Sequence, residues 1–162
     1  MTTETETETA TQTQTEARTD GRVSHRMIFV NLPVADVEAS RAFFTTVGYT
    51  FDERMCNEQG LALELGPNLY AMLLRRDFFD GFHLDATAEA GQREVLTCLA
   101  ACSRDEVDRI VDAALAAGGR EVRNEQEDAP YMYDRAYADP DGHVWEIMWM
   151  DVEAATDAGV FG

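Results

Sequence analysis

Met27-Ile28-Phe29-Val30-Asn31-Leu32-Pro33-Val34 is an apolar run that ends two residues before Asp36, and a second run, Val95 to Ala101, ends two before Ser103. Both runs have the length and composition of buried strands. Asp36 and Ser103 each carry a side-chain oxygen able to accept the first free N–H groups of a helix. Behind Asp36, the residues Val37, Ser40, Phe44 and Val47 recur at helical spacing, Phe43 widens the apolar face, and Gly48 stops the helix. Behind Ser103, Glu106 stands in capping-box position. Val107, Ile110, Val111, Ala114 and Leu115 repeat the 3.6 period, and Gly118-Gly119 ends it.

Three extended runs follow each helix. In the first half they are Tyr49 to Met55, Leu61 to Leu65 and Leu69 to Leu74, separated by Asn57, Gly60 and Gly66-Pro67-Asn68. In the second half they are Glu121 to Asn124, Met132 to Ala138 and Val144 to Met150, the last set off by Asp139-Pro140-Asp141-Gly142. Each half therefore reads strand, helix, strand, strand, strand. Neither can bury both faces of its sheet alone, so the halves are expected to pair, leaving one face to the helices and a concave face around a pocket. The expected limits are residues 26–74 for the first module and 94–151 for the second, within one domain spanning 23–152. The joining stretch 75–93 contains Phe78, Phe79 and Phe82, which suggest a short helix on the sheet. Residues 1–22 are almost pure Thr, Glu and Gln from Thr2 to Thr15, a composition that reads as a disordered tail. Residues 153–162 read as a second tail.

Composition narrows the function. The chain has 162 residues, a net charge of -18 and 13 basic residues, all of them Arg. Such a surface repels phosphate backbones and anionic lipid, so neither a nucleic-acid nor a membrane partner is expected. It suits a solvated acidic coat of the kind that high salt screens. Three cysteines are an odd number and point to a reducing cytoplasm rather than a disulfide scaffold. No basic-then-apolar N-terminus marks a secretory signal.

The repeated order, Val34-Ala35-Asp36 entering the first helix, and Asp139-Pro140-Asp141-Gly142-His143-Val144-Trp145-Glu146 entering the last strand together resemble the vicinal oxygen chelate superfamily of glyoxalases, bleomycin-resistance proteins and extradiol dioxygenases. The resemblance covers about residues 26 to 151. It implies an α+β fold in which two βαβββ modules form a curved mixed sheet around a cavity, commonly as a homodimer. Metal-dependent members carry one ligand on the first and one on the last strand of each module. Those positions fall here on Phe29, Tyr70, Leu96 and Glu146, and a shift by one residue reaches only Ile28, Ala71, Val95 and Thr97. A catalytic divalent ion needs about three protein ligands, so no metal or other cofactor is expected.

Strand alternation, with Glu146 taken as inward, puts Met148 and Met150 on its face and turns Trp145, Ile147 and Trp149 toward the helices. The matching positions elsewhere are Phe29 and Asn31, Tyr70 and Met72, and Leu96 and Cys98. These make a largely apolar lining with a few orienting groups, the composition of a small-molecule pocket. Core packing explains the methionines as well. Glu146 is the candidate catalytic residue. Unpaired in an apolar site it would suit a general base beside a carbonyl; reached by Arg135 or Arg123 it would be a structural ion pair. His143 is expected to order its turn, and Tyr131-Met132-Tyr133 to close the cavity mouth or pack in the strand. Cys98 and Cys102, about 13 Å apart on an extended strand, are too far for a disulfide. Two functions remain: a metal-independent binder of an apolar or aromatic molecule, and a glyoxalase- or dioxygenase-type enzyme with an atypical metal site or Glu146 as base.

Overall fold

A computed structural model describes residues 25–83, 87–88, 92, 95–122 and 128–160. The expected N-terminal tail, most of the second part of the joining stretch, and Arg123 lie outside the described residues. The first module runs β1 (Ile28–Val34), α1 (Val37–Val47), β2 (Thr50–Phe51), β3 (Gly60–Gly66) and β4 (Leu69–Arg75). A short helix α2 (Arg76–Phe79) with a 3-10 turn (Asp80–Phe82) leads away from it. The second module runs β5 (Thr97–Ala100), α3 (Arg104–Ala116), β6 (Arg120–Glu121), β7 (Asp128–Ala129), β8 (Met132–Ala138) and β9 (Val144–Met150), and α4 (Val152–Asp157) follows.

The caps read from sequence are in place. The Asp36 carboxylate accepts from the N–H groups of Glu38 and Ala39 at 2.8 and 3.0 Å. Gly48, at φ 110°, closes α1 in the left-handed conformation that glycine adopts without a Cβ clash. The Ser103 hydroxyl accepts from Glu106 N–H at 3.1 Å, and the Glu106 carboxylate reaches back one residue further than a capping box requires, to Cys102 N–H at 2.7 Å.

Two sheets result, in the orders β1-β4-β3-β2 and β5-β9-β8-β6, with β7 added on β8. In each, the first strand of the module lies parallel to the last. The modules meet through their helices and the inner sheet faces. Phe43, Phe44 and Val47 of α1, Val107, Val111 and Ala114 of α3, Leu61, Leu63 and Leu73 of one sheet, and Tyr137, Trp145 and Ile147 of the other form one buried cluster. Phe44 meets Trp145 edge-on at 5.3 Å across the module boundary. Burying such side chains contributes roughly 1.5–3 kcal/mol each, so neither module keeps its core without the other.

A polar clasp fixes the second contact. The Asp141 carboxylate accepts from Ala35 N–H at 2.8 Å and from the Ser40 hydroxyl at 3.4 Å, while the His143 ring meets the Pro33 carbonyl at 2.8 Å. The Asp139 carboxylate, beneath them, accepts from the N–H groups of Asp141 and His143 and from the Trp145 indole at 3.1, 2.9 and 3.1 Å. The Asp139–Gly142 turn thus ends one strand and docks the second module on the first.

Four elements differ from the sequence reading, one of them the strand expected over Glu121 to Asn124, which is Arg120–Glu121 among the described residues. The expected strand Tyr49 to Met55 is cut to two residues, because the Asp52 carboxylate accepts from Arg54 N–H at 3.1 Å and turns the chain into a 3-10 segment. The expected strand from Val95 begins only at Thr97. The expected C-terminal tail contains α4, capped by Asp151, which accepts from Ala154 N–H at 3.0 Å, and its Ala155 is fully buried.

Candidate functional site on the open sheet faces

Ladder partners share a face of a sheet, so the strand registers assign every side chain. Tyr137 lies opposite Trp145, and Arg135 opposite Ile147, on the inner face. Glu146 lies between Cys98 and Ala136, and Met148 between Ala100 and Asp134, on the outer face. In the other sheet Phe29 pairs with Tyr70 and Asn31 with Met72, again on the face turned from the core. The Phe29 and Tyr70 rings stack at 5.3 Å. Leu96 stands just ahead of β5 rather than within it.

The candidate residues are therefore two groups on two sheets. Phe29, Asn31, Tyr70 and Met72 form one; Leu96, Cys98, Glu146 and Met148 form the other. Among the described residues the main strand contacts run within each sheet rather than between the two. Much of the apolar surface lies open: Phe29 is 43% and Leu96 55% exposed, beside Ile28 at 51% and Val95 at 58%. The candidate residues thus stand as two groups on two partly exposed faces, with Tyr70 buried at 8%.

Arg135 does not reach Glu146. It points to the helix side, where its guanidinium donates to the carboxylates of Asp108 and Asp112 at 2.8 Å each. Tyr133 turns the same way and donates its hydroxyl to Asp108 at 2.8 Å, so it does not stand at a pocket mouth. Burial pushes the Asp108 carboxyl up, but the Tyr133 hydroxyl and the Arg135 guanidinium outweigh it and hold the group below its ordinary value. Met132 and Met150, ladder partners, share the outer face with Glu146. None of Cys56, Cys98 and Cys102 is in a disulfide.

The donor set does not fit the family's metal. Of the four positions the resemblance marks, only Glu146 offers an anionic ligand, and no cluster of three or more His, Cys, Asp or Glu side chains occurs among the described residues. The His143 ring is engaged at the Pro33 carbonyl.

A cavity that sequence reading missed lies elsewhere, on the helix side at the module boundary. It measures about 260 Å³ and is walled by Val47, Leu65, Leu99, Ile110 and Ile147, with Tyr49, Glu106 and Arg109 among its polar groups. The sequence signal was faint, a Tyr directly after the glycine that ends α1.

Comparison with known proteins agrees with this architecture. Residues 26–59 match the family model for the N-terminal part of bleomycin resistance protein-like proteins. A glyoxalase/bleomycin resistance protein/dioxygenase family enzyme from Burkholderia phytofirmans PsJN superposes with a TM-score of 0.65 at 21% identity, covering 76% of this chain and 97% of that one. A glyoxalase/bleomycin resistance protein/dioxygenase from Nocardioides gives 0.60 at 24%, covering 80% and 87%. A lactoylglutathione lyase from Agrobacterium tumefaciens gives 0.55 at 18%, covering 79% and 96%. No curated protein matches the chain. The chain carries the fold of the vicinal oxygen chelate superfamily, and the glyoxalase and bleomycin-resistance proteins are the branch it is similar to. No helix among the described residues is long and apolar enough to cross a membrane.

Proposed function

We propose that this protein is a metal-independent binder of a small apolar or aromatic molecule, acting as a cytoplasmic homodimer. The observation that carries the reading is the split of the candidate residues into two half-sites on partly exposed faces. A second copy that laid its Leu96–Cys98–Glu146–Met148 face over the Phe29–Asn31–Tyr70–Met72 face of the first would enclose both. Apolar walls with Asn31, Tyr70 and Glu146 as orienting groups then match a small-molecule site. β1 and β5, edge strands flanked by exposed Ile28 and Val95, supply the bare backbone and apolar area for that contact. Three cysteines outside any disulfide fit a reducing compartment.

The alternative is an enzyme of the glyoxalase or dioxygenase sort, with Glu146 as a metal-free base. Its support is the place of Glu146 on the outer face, between Cys98 and Ala136 on the neighbouring strands. Glu146 would then take a proton from a carbon beside a carbonyl.

Native mass spectrometry of protein purified without chelator reads copy number, retained organic mass and metal together. A dimer that holds an organic molecule, and loses it in Glu146→Ala while staying folded, is the expected result. A monomer that takes up nothing overturns the reading. Stoichiometric iron, manganese, nickel or zinc overturns its metal independence. Loss of folding in Glu146→Ala would make that carboxylate structural.

A further inference from the structure

The cavity at the module boundary shares no side chain with the half-sites that carry Glu146 and Tyr70. Val47, Tyr49 and Leu65 come from the first module, and Leu99, Ile110 and Ile147 from the second. Its volume of about 260 Å³ exceeds the roughly 150 Å³ of an apolar cavity that admits benzene. A half-open cleft of this size, with aliphatic walls and a polar rim, has the make-up of a small-molecule site.

The rim defines the ligand. Arg109 stands there with its side chain 61% exposed, and Glu106, its carboxylate neighbour, is 3.5 Å away. The Glu106 carboxylate is already engaged at 2.7 Å by Cys102 N–H, so it serves the helix cap before it serves Arg109. The contact with Glu106 at 3.5 Å leaves the Arg109 guanidinium with donors to spare. The fully buried Tyr137 stands beside Tyr49, with its hydroxyl against the Tyr49 oxygen. Burial raises the Tyr49 phenol above its ordinary value, while the Tyr137 hydroxyl and then the Arg109 charge pull the other way. Tyr49 therefore stays a neutral O–H donor at neutral pH.

We propose that this cavity is a second binding site, for a small aromatic or aliphatic carboxylic acid. The hydrocarbon part packs against Leu65, Leu99, Ile110 and Ile147, and the carboxylate meets Arg109 and the Tyr49 hydroxyl. Because its walls come from both modules, an occupant ties them together and couples to their packing.

Benzoate is the probe, and benzyl alcohol is its uncharged counterpart of equal length. Benzoate titrated into the full chain is expected to give saturable NMR shifts of the Gly48, Tyr49 and Ala101 amides and a higher melting temperature. Arg109→Gln should weaken benzoate about tenfold, the lower range for a charged hydrogen bond, and leave benzyl alcohol unchanged. Ala101→Leu should abolish both by filling the cavity, with Ile110→Phe as a second filling variant should the first not fold. Glu146→Gln should change neither, which separates this site from the sheet faces. The proposal is overturned by shifts that do not saturate, by binding that survives both filling variants, or by equal benzoate affinity in Arg109→Gln.

Discussion

Asp139 shows how one residue serves both fold and site. Its carboxylate is 5% exposed and spends both oxygens on three N–H donors, one of them the indole of fully buried Trp145. Burial pushes its carboxyl above the ordinary value; neighbouring Asp141 adds to this, and His143 and the indole N–H oppose it. A carboxyl raised in the folded state contributes stability that is complete below the unfolded value near 3.9 and is lost as pH rises through the folded one. Denaturation followed across weakly acidic pH should therefore show a fall with rising pH that Asp139→Asn removes. The same variant turns an amide N–H2 toward the indole and should cost about 1–3 kcal/mol at low pH. A difference between wild type and Asp139→Asn that does not fall over this interval would refute the assignment. At this scale the family resemblance singled out Glu146, and alternation sorted the residues that share its face. Neither placed Arg135, because the choice between Glu146 and the α3 carboxylates rests on which strand face meets a helix far away in the chain.

Among elements, α1 depends most visibly on local chemistry. Asp36→Ala would free two N–H groups of the first turn and should lower stability by about 1 kcal/mol, read as a shift in the denaturant midpoint with unchanged slope. An unchanged midpoint would mean that α1 is held by Phe43, Phe44 and Val47 alone. Strands β8 and β9 have the limits read from sequence, because the Asp139–Gly142 turn marks the boundary between them and Met132 and Met150 close their outer ends. β2 is shorter than its apolar pattern suggests, since the Asp52 side chain offers the backbone a competing turn. α4 was illegible for the opposite reason: Val152, Ala154 and Ala155 are too few for a periodic apolar stripe, and its one strong signal, the Asp151 cap, sits at the end of a strand.

For the whole molecule, the net charge of -18 sets the response to salt. Self-repulsion among 31 acidic groups opposes compaction, and screening relieves it, so the melting temperature should climb by several degrees between about 0.1 M and molar KCl. A flat profile would mean that the coat carries no stability cost. The duplicated order was legible because periods of 2 and 3.6 repeat in the same sequence twice. The half-sites were legible only as faces. Which way two faces look depends on how the modules pack through α1 and α3, and no local pattern encodes that. The boundary cavity escaped altogether, since Val47, Leu65, Leu99 and Ile110 become neighbours only after both modules have docked.

The unpaired rims of β1 and β5 carry a liability as well as an opportunity. An outer strand with greasy neighbours will template on any passing strand, and here mutual repulsion between molecules is what keeps strangers apart. Acidifying toward the isoelectric point, about 4.3, discharges that barrier. Near that pH, clumping should set in before the chain unfolds, and it should come latest in molecules whose rims are already occupied by a companion.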